Sequence, residues 1–325
     1  MKTASAALLL CWLFTSCEKQ YIDIIPVLQI EQDISIAGAG DIKFFTFPTE
    51  QVGYAATEKA IVYKTTDGGI TWKKLATPFS ASCKGLEFYD LQNGMCLINQ
   101  SVYVTENGGL TWVLRDSSPF MGITKEGVGV IGKECGYNVY CIYTSTNKGK
   151  SFQQIGKVTL DGDLAFAKVT GSKVYLVPTN VMDEEIFYGL DLKTKQTEKV
   201  AVYSIGYDSA PNDIFVDEQQ GYIVGKGGLI MERQADFTTT ASLYHQVNGY
   251  FGQDNLSVDA YNNLAVGVGE RTISVNIDFG KDGTWTELLS PAAKSFEPTF
   301  YKVKFAGENK FYISGSNGLL WKAKI

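Results

Sequence analysis

Arginine and histidine are almost missing from this chain. Among 325 residues only Arg115, Arg233 and Arg271 carry a guanidinium group, and His245 is the single imidazole. One histidine excludes a multi-histidine metal site, and no serine or cysteine stands in a nucleophile motif beside it. Positive charge is short too. The net charge is −6 and no basic cluster offers a phosphate-neutralising footprint, so no nucleic-acid partner is expected. No apolar run approaches the length of about 20 residues that a membrane-spanning helix needs. No segment sustains an apolar period of about 3.6, so helices should be few. The stretch "DFGKDGTWTELL" (278–289) carries Leu289 at the twelfth position, where a calcium loop needs a bidentate Glu. No metal and no cofactor are expected.

What the chain has is glycine and aromatics. Gly numbers 33 against 8 Pro, and Phe, Trp and Tyr make up 13% of the chain, a composition suited to many short strands joined by tight turns. Internal repeats follow. A turn residue followed by a compact apolar strand recurs at Gly53 ("GYAAT"), Gly94 ("GMCLI"), Gly127 ("GVGVI"), Lys173 ("KVYLV"), Gly221 ("GYIVG"), Asn263 ("NLAVG") and Lys310 ("KFYIS"). The mean spacing of about 43 residues, with four strand-like pieces per unit, is the signature of propeller blades. The expected fold is all-β, a seven-bladed β-propeller. Its last unit stops at "LLWKAKI" (319–325), one strand short. "DIIPVLQI" (23–30) belongs to no blade of its own, so this N-terminal strand is expected to complete the last blade and close the ring, removing exposed edges.

The N-terminus points to an address. Lys2 precedes an apolar run from Ala4 to Phe14, which ends in "LFTSC". The run is too short to span a bilayer and suits a signal-peptide core. "LFTSC" resembles a bacterial lipobox, with Phe14 in place of the usual leucine. That resemblance implies cleavage before Cys17 and a lipid on Cys17. The expected organisation is a signal peptide over 1–16, a lipidated tether over 17–22 and a single propeller domain over 23–325. The expected location is the bacterial envelope, at the outer membrane, with the lipid as the only membrane contact and the propeller monomeric. Of the remaining cysteines, Cys135 and Cys141 flank a hairpin loop, "GYNVY", and form a disulfide candidate across directly opposed positions. Cys83 and Cys96 fall out of register across their hairpin and are expected free and buried.

Three further segments share one pattern: "TTDGGITW" (65–72), "TENGGLTW" (105–112) and "STNKGKSF" (145–152). Each falls between the third and fourth strands of its unit. Asp67, Asn107 and Asn147 can accept hydrogen bonds from turn amides, while Gly69, Gly109 and Gly149 supply positive φ. Trp72, Trp112 and Phe152 can pack back over the sheet. Two of the three copies carry an amide, which cannot transfer a proton as a carboxylate does, so the pattern is read as scaffold. These residues resemble the Asp-box (BNR) repeat found in sialidases and other propellers. "NIDFGKDGTW" (276–285) resembles a fourth copy with an insertion. In that family the boxes lie on the rim away from the ligand face. "GYIVGKGGLIMER" (221–233) and "SGSNGLLWKA" (314–323) are also similar to propellers of the photosystem-assembly-factor type, which implies binding or scaffolding of other proteins.

Sialidase chemistry, as the family implies it, needs three clustered arginines, and Arg115 ends an outer strand far from any central pocket. Other propeller glycosidases need two carboxylates about 5 to 10 Å apart. Asp161, Asp163, Asp208, Asp213 and Asp254 stand near inner-strand starts and are read as solvated turn acids. Loops leading into inner strands, and those between second and third strands, converge on one face, where binding residues tend to lie. Tyr137, Tyr207, Asp208, Tyr250, Phe251 and Arg271 are the binding candidates on that face. The expected function is a non-enzymatic binding or scaffold propeller for an envelope protein or glycan. The alternative is a carboxylate-dependent glycoside hydrolase or lyase on the same scaffold.

Overall fold

The sheets among the described residues are antiparallel, and within a blade most strands are joined to their neighbour by a short turn. The computed structural model describes residues 26–179, 184–203, 211–217, 220–228, 230–234, 254–277, 285–288 and 298–325. The first sheet holds β2 (Ile42–Thr46), β3 (Gly53–Thr57), β4 (Val62–Thr65) and β5 (Lys73–Lys74). The second holds β6 (Cys83–Phe88), β7 (Gly94–Ile98), β8 (Ser101–Thr105) and β9 (Val113–Ser117). The third holds β10 (Met121–Ile123), β11 (Gly129–Gly136), β12 (Val139–Ser145) and β13 (Gln153–Thr159). The fourth holds β14 (Leu164–Thr170), β15 (Lys173–Pro178), β16 (Glu184–Asp191) and β17 (Thr197–Tyr203). The fifth has only β18 (Pro211–Val216), β19 (Gln220–Gly225) and β20 (Ile230–Gln234). The sixth holds β21 (Asn255–Tyr261), β22 (Leu264–Gly269), β23 (Ile273–Asn276) and β24 (Thr286–Glu287). The last combines β25 (Phe300–Gly307), β26 (Lys310–Gly315) and β27 (Leu320–Lys324) with β1 (Gln29–Asp33).

The first strands form an unbroken cycle: β2 lies against β6, then β10, β14, β18, β21 and β25 follow in turn, and β25 returns to β2. This is a β-propeller, and among the described residues helix is confined to single 3-10 turns at Lys226–Gly228 and Ser316–Gly318. The expectation of seven blades is corrected: six four-stranded blades form, and the sheet of β18 to β20 has three strands among the described residues. The fourth box-like segment lies largely outside the described residues.

The apolar repeat motif is explained by position. In β3, β7, β19 and β22 every residue is buried, because a second strand is covered by a neighbouring sheet on each face. Fourth strands are edges and carry the opposite pattern, as in the exposed β9. "TWKKL" shrinks to a two-residue strand for the same reason. Between the first two sheets the core is aromatic: Tyr54 and Phe88 stack at 3.6 Å between ring centroids, and Trp112 meets Phe88 edge-on. Inner strands are also stitched together by side chains that accept from the next strand's backbone. Thr170 takes Val216 N at 3.1 Å, Ser257 takes Val303 N at 3.5 Å and Asp259 takes Phe305 N at 2.7 Å.

β1 occupies the outer edge of the last sheet, antiparallel to β27, from Gln29 opposite Lys324 to Asp33 opposite Trp321. The strand is shifted from the expected 23–30 to Gln29–Asp33, with a bulge between Ile30 and Gln32. The pairing continues beyond the strand, with Ile34 N donating to Leu320 O at 2.9 Å and Ile36 N to Gly318 O at 2.8 Å. Ile34 and Ile36 are buried in a cluster with Ile42 and Phe45 of the first sheet and Tyr312 and Leu320 of the last. Gly318 has φ of 80°, and a Cβ there would strike the Ile36 carbonyl, so glycine is required at that crossing.

Cys135 and Cys141 are bonded, with Cα atoms 5.8 Å apart. The reason differs from the one read in the sequence. Cys141 lies opposite Lys133, and Cys135 falls in a bulge between Glu134 and Gly136, so the bulge rather than direct opposition brings the sulfurs together. Cys83 and Cys96 are free and buried.

Candidate binding channel and upper face

Alternation along an inner strand sends every other side chain into the central channel. Several of those positions are charged. The Lys168 ammonium on β14 meets Asp213 on β18 at 2.6 Å, and Lys304 on β25 meets Glu87 on β6 at 2.9 Å. Asp213 is only 7% exposed and also accepts from Ser257 Oγ at 2.9 Å, Val258 N at 3.2 Å and Ile214 N at 3.0 Å. It is no solvated turn acid, which corrects the reading made from the sequence. Burial works against Lys168, yet Asp213 holds its pKa above the ordinary lysine value. Burial opposes Glu87 likewise, and Lys304 and Lys302 together keep its pKa below the usual carboxylate value.

Two charges stand apart from these pairs. Asp259 is pushed above the usual aspartate range by burial, against its bond from Phe305 N. Lys302 is pushed below the ordinary lysine value by burial and by repulsion from Lys168. No hydrogen bond or ion pair to the Lys302 ammonium occurs among the described residues. Its ammonium lies 5.8 Å from the Phe44 ring centroid. Lys302 is two residues into β25, about 7 Å of strand rise below the upper face. Beside it at the mouth, Lys43 sits 3.0 Å over the Tyr301 ring, and the Tyr301 hydroxyl donates to Asp41 at 2.7 Å.

The upper face carries the loops between second and third strands and those joining successive sheets. Gly227 N donates to Asp254 at 3.1 Å, Arg271 N to the Pro298 carbonyl at 3.2 Å and Asn317 N to Asp41 at 3.2 Å. Each bond ties one sheet's upper turn to the start of the next sheet, so Asp254 is a turn anchor. Asp161 is exposed, as read from the sequence, and accepts from the Tyr188 hydroxyl and from Lys199 at 2.9 Å on the fourth sheet. Arg271 is exposed with φ of 58°. Tyr137 is 88% exposed at the tip of the β11–β12 hairpin. Two sheets intervene between them, so the structure does not bring these candidates together. Tyr207, Asp208, Tyr250 and Phe251 lie outside the described residues, as does Cys17. Arg115 pairs with Glu106 at 3.4 Å on an outer strand.

The lower face holds the three repeated turns, and their bonding is the same in each. Thr71 N donates to Asp67, Thr111 N to Asn107 and Ser151 N to Asn147, at 2.9, 2.9 and 3.0 Å. Gly69, Gly109 and Gly149 N donate to Thr65, Thr105 and Ser145 hydroxyls, each at 2.9 Å. The one chemical difference is absorbed by a hydroxyl. Thr71 donates to the Asp67 carboxylate, whereas the amides of Asn107 and Asn147 donate to Thr111 and Ser151. The aromatic residues differ: Trp112 is buried, while Trp72 is half-buried and donates its indole N–H to Ile34 O at 2.9 Å. Phe152 packs partly buried against Leu97 and Ile131.

Those bonds, Thr71 foremost, lower the Asp67 pKa to about 2 from 3.8. Its stabilising contribution is therefore complete above 3.8 and lost as pH falls through about 2. Asp67→Asn is expected to melt close to the parent at neutral pH, and any deficit should vanish in thermal scans near pH 2. Trp112→Ala is expected to cost about 3–5 kcal/mol in urea denaturation, for loss of a buried indole. A smaller loss is expected for the half-exposed Trp72.

No protein-family model and no curated protein matches the chain. Solved structures do. A structure titled YCF48 bound to D1 peptide superposes with a TM-score of 0.67 at 17% identity, covering 93% of this chain and 99% of that one. YCF48 from Cyanidioschyzon merolae gives 0.67 at 16% identity, over 91% and 98% of the two chains. The WD40 propeller domain of Doa1 gives 0.63 at 10% identity, over 91% and 96%. At such identities the likeness establishes the propeller fold.

Proposed function

We propose that this protein is a non-enzymatic binding propeller that receives a protein partner on its upper face, with Lys302 taking a carboxylate of that partner at the channel mouth. The observation that carries the reading is Lys302 itself, a cation inside the ring that, among the described residues, makes no direct ion pair, whereas Lys168 and Lys304 each contact a carboxylate. The peptide-bound YCF48 structure adds a propeller of similar fold with a peptide ligand. The same two ion pairs count against the hydrolase alternative, since Glu87 and Asp213 are each neutralised by a lysine. Attachment to a bacterial envelope through a lipid on Cys17 belongs to this proposal, supported by "LFTSC" alone.

The test is selection from a random peptide library displayed with free C-termini. The parent protein should enrich acidic or carboxylate-terminated sequences, and amidation of the C-terminus or neutralisation of the acids should weaken them at least about tenfold. Lys302→Met should lose this enrichment while melting at or above the parent temperature, because burial and Lys168 already disfavour the charge. Equal enrichment by Lys302→Met, or no preference for carboxylates, would sink the proposal.

A further inference from the structure

The lower face carries a cleft unrelated to the channel. It has a volume of about 400 Å³ and lies where the β21–β22 turn of the sixth sheet meets the β25–β26 turn of the last. Ligand pockets span about 300–1,000 Å³, so it can hold one or two small rings. Its floor is Leu264 and Ile325, and its walls are Tyr261, Asn262, Asn263, Ile277, Glu308 and Asn309. Tyr261 lies offset beside Phe305, with centroids 6.3 Å apart and planes 21° from parallel, a contact that braces one edge of its ring.

Two of these residues have a backbone explanation. Asn262 and Asn309 have φ of 53° and 56°, which asparagine tolerates in tight turns. That need does not explain Asn263. It also does not explain why Tyr261 and Ile277 leave 38% and 42% of their surface in water, side by side in one cleft. No hydrogen bond or ion pair engages the side chains of Asn262, Asn263, Asn309 or Glu308 among the described residues. An aromatic side chain ringed by three uncommitted amides and one carboxylate is therefore left facing solvent.

We infer that this cleft binds a neutral saccharide. A pyranose ring has an apolar C–H face that an aromatic ring covers, and a rim of hydroxyls that donate and accept at once. Amides supply both functions and a carboxylate accepts. A docked peptide would instead need main-chain partners, and two of the turn carbonyls are already engaged. Asn262 O accepts from the Gln220 side chain, and Asn309 O accepts from Ile325 N at 3.3 Å. Glu308 is the one acidic side chain of the lining and disfavours an anionic ligand.

Saturation-transfer NMR on the whole protein with cellobiose, chitobiose, maltose and mannobiose, each at about 10 mM, tests this. At least one disaccharide should receive saturation, strongest at its ring C–H protons. Tyr261→Ala should weaken that binding at least about tenfold, while Tyr261→Phe retains it. Should Tyr261→Ala fail to fold, Asn263→Ala at the exposed turn carries the test, with a loss of about fivefold or more. Silence from all four sugars overturns the inference, as does binding unchanged in Tyr261→Ala or Asn263→Ala. Binding of anilinonaphthalene sulfonate that depends on Tyr261, with the sugars silent, identifies a plain apolar docking site and overturns it too.

Discussion

Deleting residues 26–36 is expected to leave a protein that aggregates or melts far below the parent. The segment supplies β1, the edge partner of β27, and two further backbone bonds from Ile34 and Ile36. Leu28, Ile34 and Ile36 are buried, and each such side chain is worth about 1.5–3 kcal/mol of transfer free energy. Together they approach the whole stability of an ordinary domain, about 5–15 kcal/mol. The loss would also uncover Trp321 and the β27 edge, and would strip the Trp72 indole of its acceptor. An exposed strand edge recruits other chains. Size-exclusion chromatography and melting curves of the truncated protein give the first readout, and a synthetic 26–36 peptide added in trans should recover part of the loss. A truncated protein that melts like its parent would show that residues 26–36 hold nothing together.

Asp213→Ala should be the most damaging single substitution in the channel, by about 3–5 kcal/mol in urea denaturation. It leaves Lys168 enclosed without its partner, and it orphans Ser257 Oγ, Val258 N and Ile214 N in one step. Lys168→Met should cost less, because the carboxylate keeps those three donors. The pH dependence has a definite sign. Lys168 has its folded pKa raised, so its contribution is complete below the unfolded value of 10.5 and fades only as pH rises past it. Glu87 has its pKa lowered, so its share is present above 4.5 and is lost as pH falls below it. Equal stabilities for Asp213→Ala and Lys168→Met would contradict the hydrogen-bond argument.

The propeller was legible in the sequence because second strands are stacked on both faces and so appear as short, fully apolar words such as "GMCLI". The same words misplace an edge where a glycine-rich approach mimics the strand. "GVGVI" begins at Gly127, but Gly127 has φ of 78° and β11 starts at Gly129. The repeated lower turns were legible for a related reason, since their bonds are local and three copies expose what each residue does. The channel was not. Lys168, Asp213 and Lys302 sit in "FAKVT", "NDIFV" and "YKVKF", where a charge between apolar neighbours matches any half-solvated strand. Only ring closure turns that solvated side inward, and its charge partners lie about 45 or more residues away, beyond any local pattern. A sharper rule follows for such folds: a charge in the interior of a blade's first strand, set between apolar neighbours, is a candidate for the channel.

The latch between β1 and β27 also sets an order of events during synthesis. β1 is made before every other described strand, yet its partner follows only nearly 300 positions later. Until then Ile34 and Ile36 have only the first sheet to lean on, and every blade must assemble on a ring that is still open. Contacts of such sequence separation form slowly and leave sticky intermediates exposed. Ring completion is thus a timed step. A chain stalled before Leu320 would carry six other sheets and no means of locking them.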